Sequence, residues 1–95
     1  MDDTFEREQG FSEADWRRSL PGAVRGAPLL LGDGQATVTL GAGTLHLAWT
    51  VLPPRRIALI AMPRLAVRYA FRGVPEAERR AFMAYFDLFM QRGGG

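Results

Sequence analysis

The sequence predicts an α+β domain: a four-stranded antiparallel β-meander with a short N-terminal helix and a long C-terminal helix packed on one face. Three observations carry this. Between residues 35 and 72, apolar side chains recur at every second position in segments joined by short turns, the mark of neighbouring antiparallel strands. The stretch "FSEADWRRSL" opens on a helix-capping signal. The stretch "PEAERRAFMAYFDLFMQR" spaces its apolar residues at the helical period.

Residues 1–10 show no period and are read as a loose lead-in. Ser12 is placed to accept a hydrogen bond from the Asp15 amide, and Phe11 and Trp16 flank that cap at hydrophobic-staple spacing. Pro21 and Gly22 stop the helix, which is expected over residues 12–20. Residues 22–34 are rich in Gly, Ala and Pro and read as a loop, with a short strand at Leu29, Leu30 and Leu31 and "GDG" as a turn.

The sheet is expected over residues 35–72. "QATVTL" sets Ala36, Val38 and Leu40 against Thr37 and Thr39, and "TLHLAWTVL" sets Leu45, Leu47, Trp49 and Val51 against Thr44, His46, Ala48 and Thr50. "PPRR" reads as a turn, "IALIAM" as a central strand apolar on both faces, and "PR" as another turn. "LAVRYAFR" then alternates Leu65, Val67, Tyr69 and Phe71 with Ala66, Arg68, Ala70 and Arg72. The final helix is expected over residues 75–92, with Pro75 at its first position and Glu76 and Glu78 near the positive end of its dipole. Residues 93–95 are read as a flexible tail.

At 95 residues the chain is one domain, residues 1–95, with a single modest core. The hydrophobic share of 47% and charged share of 23% are ordinary for a globular domain. With no cysteine, disulfides, thiolate metal sites and cysteine nucleophiles are excluded. A net charge of +2 sits beside a pI of 9.9 because all twelve cationic side chains are arginine, which stays ionised to high pH. The high pI is therefore no sign of a strongly basic surface. The acidic start "MDDTFEREQG" lacks the basic, then apolar, pattern of a secretory signal. Arg55, Arg56, Arg64, Arg68 and Arg72 interrupt the most apolar stretch, so no bilayer-spanning segment is expected. A cytoplasmic location is expected.

Candidate chemistry is sparse. The sheet face turned from the helices carries His46, Arg56, Arg68 and Arg72 among threonines and alanines, a flat surface on which guanidinium groups fork onto phosphate or carboxylate oxygens. A nucleic-acid platform would also need stacking aromatics there, and these fall on the core face. His46 is the only histidine, with no acidic residue in the four strands to orient it and no second histidine or cysteine to share a metal. Catalytic, cofactor-binding and metal sites are expected to be absent. Phe82, Tyr85, Phe86, Phe89 and Met90 on the final helix exceed what one sheet contact buries, and read as a candidate interface for a protein partner or a second copy.

The terminal "QRGGG" is similar to the tails of ubiquitin-like and sulfur-carrier proteins, which end in an activated diglycine, but those tails leave a strand and this one leaves a helix. Across the whole chain, "DW" at 15–16, "LPG" at 20–22, "LPPRRIALIAMPRL" and "QRGGG" resemble a family of small proteobacterial-type proteins of this length. That resemblance implies the α+β fold, and carries neither an activity nor site residues with it. The sequence thus points to a non-catalytic protein–protein interaction or regulatory module, with homodimerisation open. The alternative is an anion or nucleic-acid binding module acting through the arginine-bearing face.

Overall fold

The structure is a computed structural model, and it describes residues 2–93. Its elements in chain order are β1 (Asp3–Gln9), α1 (Glu13–Ala23), β2 (Leu29–Gly32), β3 (Gln35–Leu40), β4 (Gly43–Ile57), β5 (Ile60–Arg72) and α2 (Glu76–Gly93). The strands form one sheet in the order β1-β5-β4-β3-β2, antiparallel throughout. The α+β class and the antiparallel sheet stand, but residues 35–72 form three strands, β3 to β5, where four were expected. The whole sheet has five strands rather than four.

Three differences account for this, the first being that the short strand expected at Leu29 to Leu31 joins the sheet as β2, paired with β3. The lead-in expected over residues 1–10 contains an edge strand, β1, paired with β5 so that Phe5 lies opposite Tyr69 and Glu6 opposite Arg68. Its alternation is real but mostly polar, because only Phe5 and Gln9 of its seven side chains are even half-buried. The turns expected at "PPRR" and "PR" are not turns. β4 runs through Pro53 and Pro54 and β5 through Pro63, with a register shift between Leu52 and Arg55 that absorbs the extra residue. Prolines are tolerated at a bulge and on a strand with no neighbour beyond it, since no ladder N–H is lost there. The chain instead reverses at Ala58 and Leu59, inside the segment read as a central strand. Gly94 and Gly95 of the expected tail lie outside the described residues.

α1 begins as expected, with the Asp15 amide donating to Ser12 Oγ at 3.2 Å. It continues two residues past Pro21, which lacks the N–H that a helical residue at this position would donate to the Arg17 carbonyl. Both helices lie on the face of Leu45, Leu47, Trp49, Val67, Tyr69 and Phe71, all buried. Trp16 meets Phe11, Trp49 and Phe86 edge-on, with ring centroids 5.7, 5.9 and 6.0 Å away. Phe86 also meets Tyr69 edge-on at 5.9 Å, and Phe82 meets Phe71 at 6.1 Å. The Trp16 indole N–H is buried with no hydrogen-bond partner, whereas that of Trp49 donates to Glu13 Oε2 at 2.9 Å.

Length decides what the helices leave bare. The 15 residues of β4 extend roughly 50 Å at about 3.3 Å per residue, while the 18 of α2 reach about 27 Å. The distal halves of β4 and β5 therefore leave the body as a two-stranded arm, residues 51–64, and the molecule measures 46 × 22 × 21 Å.

Two glycines are required by space. A Cβ on Gly43 would lie 2.5 Å from the backbone oxygens of Arg72 and Gly73, and one on Gly22 would overlap the Phe89 ring where α1 crosses α2. The Phe89 side chain can rotate aside and the backbone cannot, so Gly43→Ala is expected to be the worse of the two. Urea unfolding should show Gly22→Ala costing about 1–3 kcal/mol, the usual range for overpacking, and Gly43→Ala more than that.

Burial pushes the Tyr69 phenol well above its ordinary value, against smaller opposing effects from Arg7 and the hydrogen bond from Gln9. The folded chain thus keeps the Tyr69 proton where the unfolded chain releases it. The associated stability is full below about pH 10, the ordinary tyrosine value, and is lost as pH rises beyond it. Urea midpoints measured from pH 8 upward should fall above about pH 10, and Tyr69→Phe should flatten that fall.

Candidate functional site

The residues expected to form a partner surface on the final helix are largely consumed by the core. Phe86 and Met90 are buried, and Phe82, Tyr85 and Phe89 are half-buried. Phe89 is packed over Gly22, and Tyr85 carries the Arg25 guanidinium on its ring, 4.5 Å from the centroid. Leu88 is the helix's large apolar side chain with a high exposure. The excess of apolar surface read from the helical wheel is met by α1 and the sheet together, because an 11-residue helix lies along α2 as well as the strands.

The arginine-bearing face is likewise changed by β1. Arg68 lies opposite Glu6 with 3.9 Å between charged atoms, and Arg72 lies 3.4 Å from Asp2, whose other oxygen accepts from the Gly73 amide. Two of the three guanidinium groups that the sequence offered to an outside anion, those of Arg68 and Arg72, thus already face a carboxylate. His46 sits half-buried opposite Thr37, with Nδ1 3.3 Å from Thr37 Oγ1, and among the described residues no carboxylate pairs with it. Arg56 is separated from Arg68 and Arg72: it belongs to the arm, opposite Ala61. The structure keeps His46, Arg68 and Arg72 on one sheet face, with His46 opposite Ala70 between the two arginines, and separates Arg56 from them. Among the described residues, no group of three or more His, Cys, Asp or Glu stands together as a metal site.

A groove of about 270 Å³ runs between β1 and α2, floored by Phe5, Phe71 and Met83. Its cations are compensated: Arg7 by Asp87 at 2.6 Å, Arg79 by Asp3 at 3.8 Å, and Arg80 by Glu76 at 3.1 Å. A charged ligand there would have to displace an existing ion pair.

The arm is the feature that sequence reasoning missed. β3 pairs with β4 only as far as Ala48, and β1 with β5 only as far as Leu65, so both edges of the arm are free beyond those points. Cross-strand pairs place Ile57 opposite Ile60 and Arg55 opposite Met62, on one face of the ribbon, with Arg56 and Ala61 on the other. Leu59 at the tip is fully exposed (102%), and Val51, Ile57, Ile60 and Met62 are 60%, 57%, 63% and 48% exposed. The base is braced: Arg64 Nε–H donates to the Pro53 carbonyl at 2.7 Å, and Glu8 receives Arg64 at 3.1 Å and Arg55 at 3.4 Å. No helix of the described residues is long and apolar enough to cross a membrane.

Two sequence signals marked the arm in retrospect. Three prolines confined to residues 53–63 belong to strands without outer neighbours. The segment "IALIAM" has no polar face, which suits a buried strand or an exposed docking tip equally well.

Ala58 turns the arm with φ +54°, a left-handed conformation that costs a side-chain-bearing residue about 1–2 kcal/mol. Ala58→Gly should relieve part of that strain and slow amide exchange in the arm about threefold or more, read by hydrogen–deuterium exchange. Comparison with family models, with curated proteins and with solved structures finds no match for the chain.

Proposed function

We propose that the chain is a non-catalytic protein–protein interaction or regulatory module of the cytoplasm, and that its docking element is the β4–β5 arm. The observation that carries this reading is the cluster of exposed Ile57, Leu59, Ile60 and Met62 at the end of a ribbon that neither helix can reach. Large contiguous apolar surface held away from a core costs solubility and adds nothing to stability, so a binding role accounts for it best. The arm is braced at its base by Glu8 and by the Arg64–Pro53 bond, which presents the tip at low entropic cost to a receptor. Against a phosphate-binding face stands the pairing of Arg68 with Glu6 and Arg72 with Asp2.

The test places a photo-reactive amino acid at position 59 and, as a control on the sheet face, at position 39, in the full chain expressed in cells. Irradiation is expected to yield a discrete protein adduct from position 59 and none from position 39. Leu59→Asp or Ile60→Asp, with the photo-reactive residue moved to position 57, should abolish the adduct while leaving the thermal midpoint unchanged. Adducts only from position 39, or none from the arm, would remove the arm from the reading. Sedimentation at low and high salt with mixed oligonucleotides is expected to show no complex.

A further inference from the structure

We infer that the arm's receptor is a different protein, bearing an apolar cleft rimmed by carboxylates, and that the arm enters it as a side-chain wedge rather than as an added strand. This rests on the arm being the docking element.

Charge supplies the first part. Residues 51–64 contain Arg55, Arg56 and Arg64 and no acidic residue. Glu8 is shared between Arg55 and Arg64, and Arg56 forms no ion pair among the described residues. With one carboxylate set against three guanidinium groups, the arm keeps a net positive charge behind its apolar tip, complementary to an apolar floor with acidic edges. The same charges disfavour a second copy of this chain. Two arms side by side would oppose arginine to arginine, and in the chain's own groove between β1 and α2 the carboxylates Asp3, Glu76 and Asp87 are already held by Arg79, Arg80 and Arg7, so it presents no free acidic rim.

Backbone chemistry supplies the second part. Strand addition needs a run of free N–H and C=O groups along one edge. Pro53 and Pro54 remove donors from β4, and Pro63 removes one from β5, within the stretch where each strand has no outer neighbour. The contact must therefore come from Ile57, Leu59, Ile60 and Met62. The remaining free backbone groups also argue for a protein cleft over a lipid surface, because a bilayer interior offers them no partners, and the arm lacks the aromatic side chains that settle at a membrane interface. Nucleic acid is disfavoured because its affinity grows with the number of phosphates neutralised, and the arm offers three guanidinium groups, two of them sharing Glu8.

The experiment uses the full chain with the photo-reactive residue at position 59, comparing adduct yield in three backgrounds. Arg56→Glu is expected to reduce the yield at least fivefold, and Glu8→Gln, which releases Arg55 and Arg64 toward the receptor, to raise it. Mass spectrometry should place the cross-link on a heterologous protein beside Asp or Glu. Changing those carboxylates to arginine should restore the adduct with Arg56→Glu. An adduct from position 59 indifferent to both substitutions would overturn the acidic rim while leaving the arm as the docking element. An adduct of twice the chain's mass, or one destroyed by nuclease or by detergent extraction of lipid, would overturn the heterologous protein. No adduct from position 59 would overturn this inference and the reading it rests on together.

Discussion

Trp16 is the point at which α1, α2 and the sheet become one core. Its ring is fully buried and touches Phe11 from the capping segment, Trp49 from β4 and Phe86 from α2. Losing a ring of this size from a core costs about 3–5 kcal/mol, against a total of about 5–15 kcal/mol for a typical domain. Because these contacts gather at Trp49 and Tyr69, they fix the helices over the proximal half of the sheet. The uncovered distal half of the β4–β5 ribbon follows from that placement.

The second organising constraint is the pairing of β1 with β5. It brings the acidic side chains of the N-terminal segment across from arginines more than fifty residues away in sequence, Glu6 to Arg68, Glu8 to Arg64 and Asp2 to Arg72. Exposed pairs of this kind are each worth about 0–1 kcal/mol, so their effect on stability is small. Their effect on the surface charge is larger, because a sheet face that reads as basic in sequence becomes locally neutral. Arg7 extends the pattern on the helix side, lying over the rings of Phe5 and Tyr69 while paired with Asp87. That ion pair links β1 to α2 beside the groove between them.

The arm combines features that oppose one another in an isolated domain. Its exposed isoleucines and Leu59 invite association, while its prolines and arginines discourage indiscriminate edge-to-edge pairing. An apolar surface guarded against self-assembly in this way suits selective contact with a receptor of the right shape and charge.

Periodicity alone determined the α+β class, both helices, the Ser12 cap, and the inward set Leu45, Leu47, Trp49, Val67, Tyr69 and Phe71, because each depends on neighbours within a few residues. What lay beyond it was non-local. β1 was hidden because its polar alternation acquires meaning only opposite Arg68 and Arg72, and the hairpin tip because "IALIAM" is equally apolar in a core or in solvent. Proline marked turns in the sequence, yet at Pro53, Pro54 and Pro63 it marks strands whose outer edges are free, a condition set by where β3 and β1 end. The candidate site divided along the same line. Phe86 and Met90 were legible as apolar, but only α1 packing beside α2 decided that they are core, and only helix length against strand length left the arm as the exposed apolar surface.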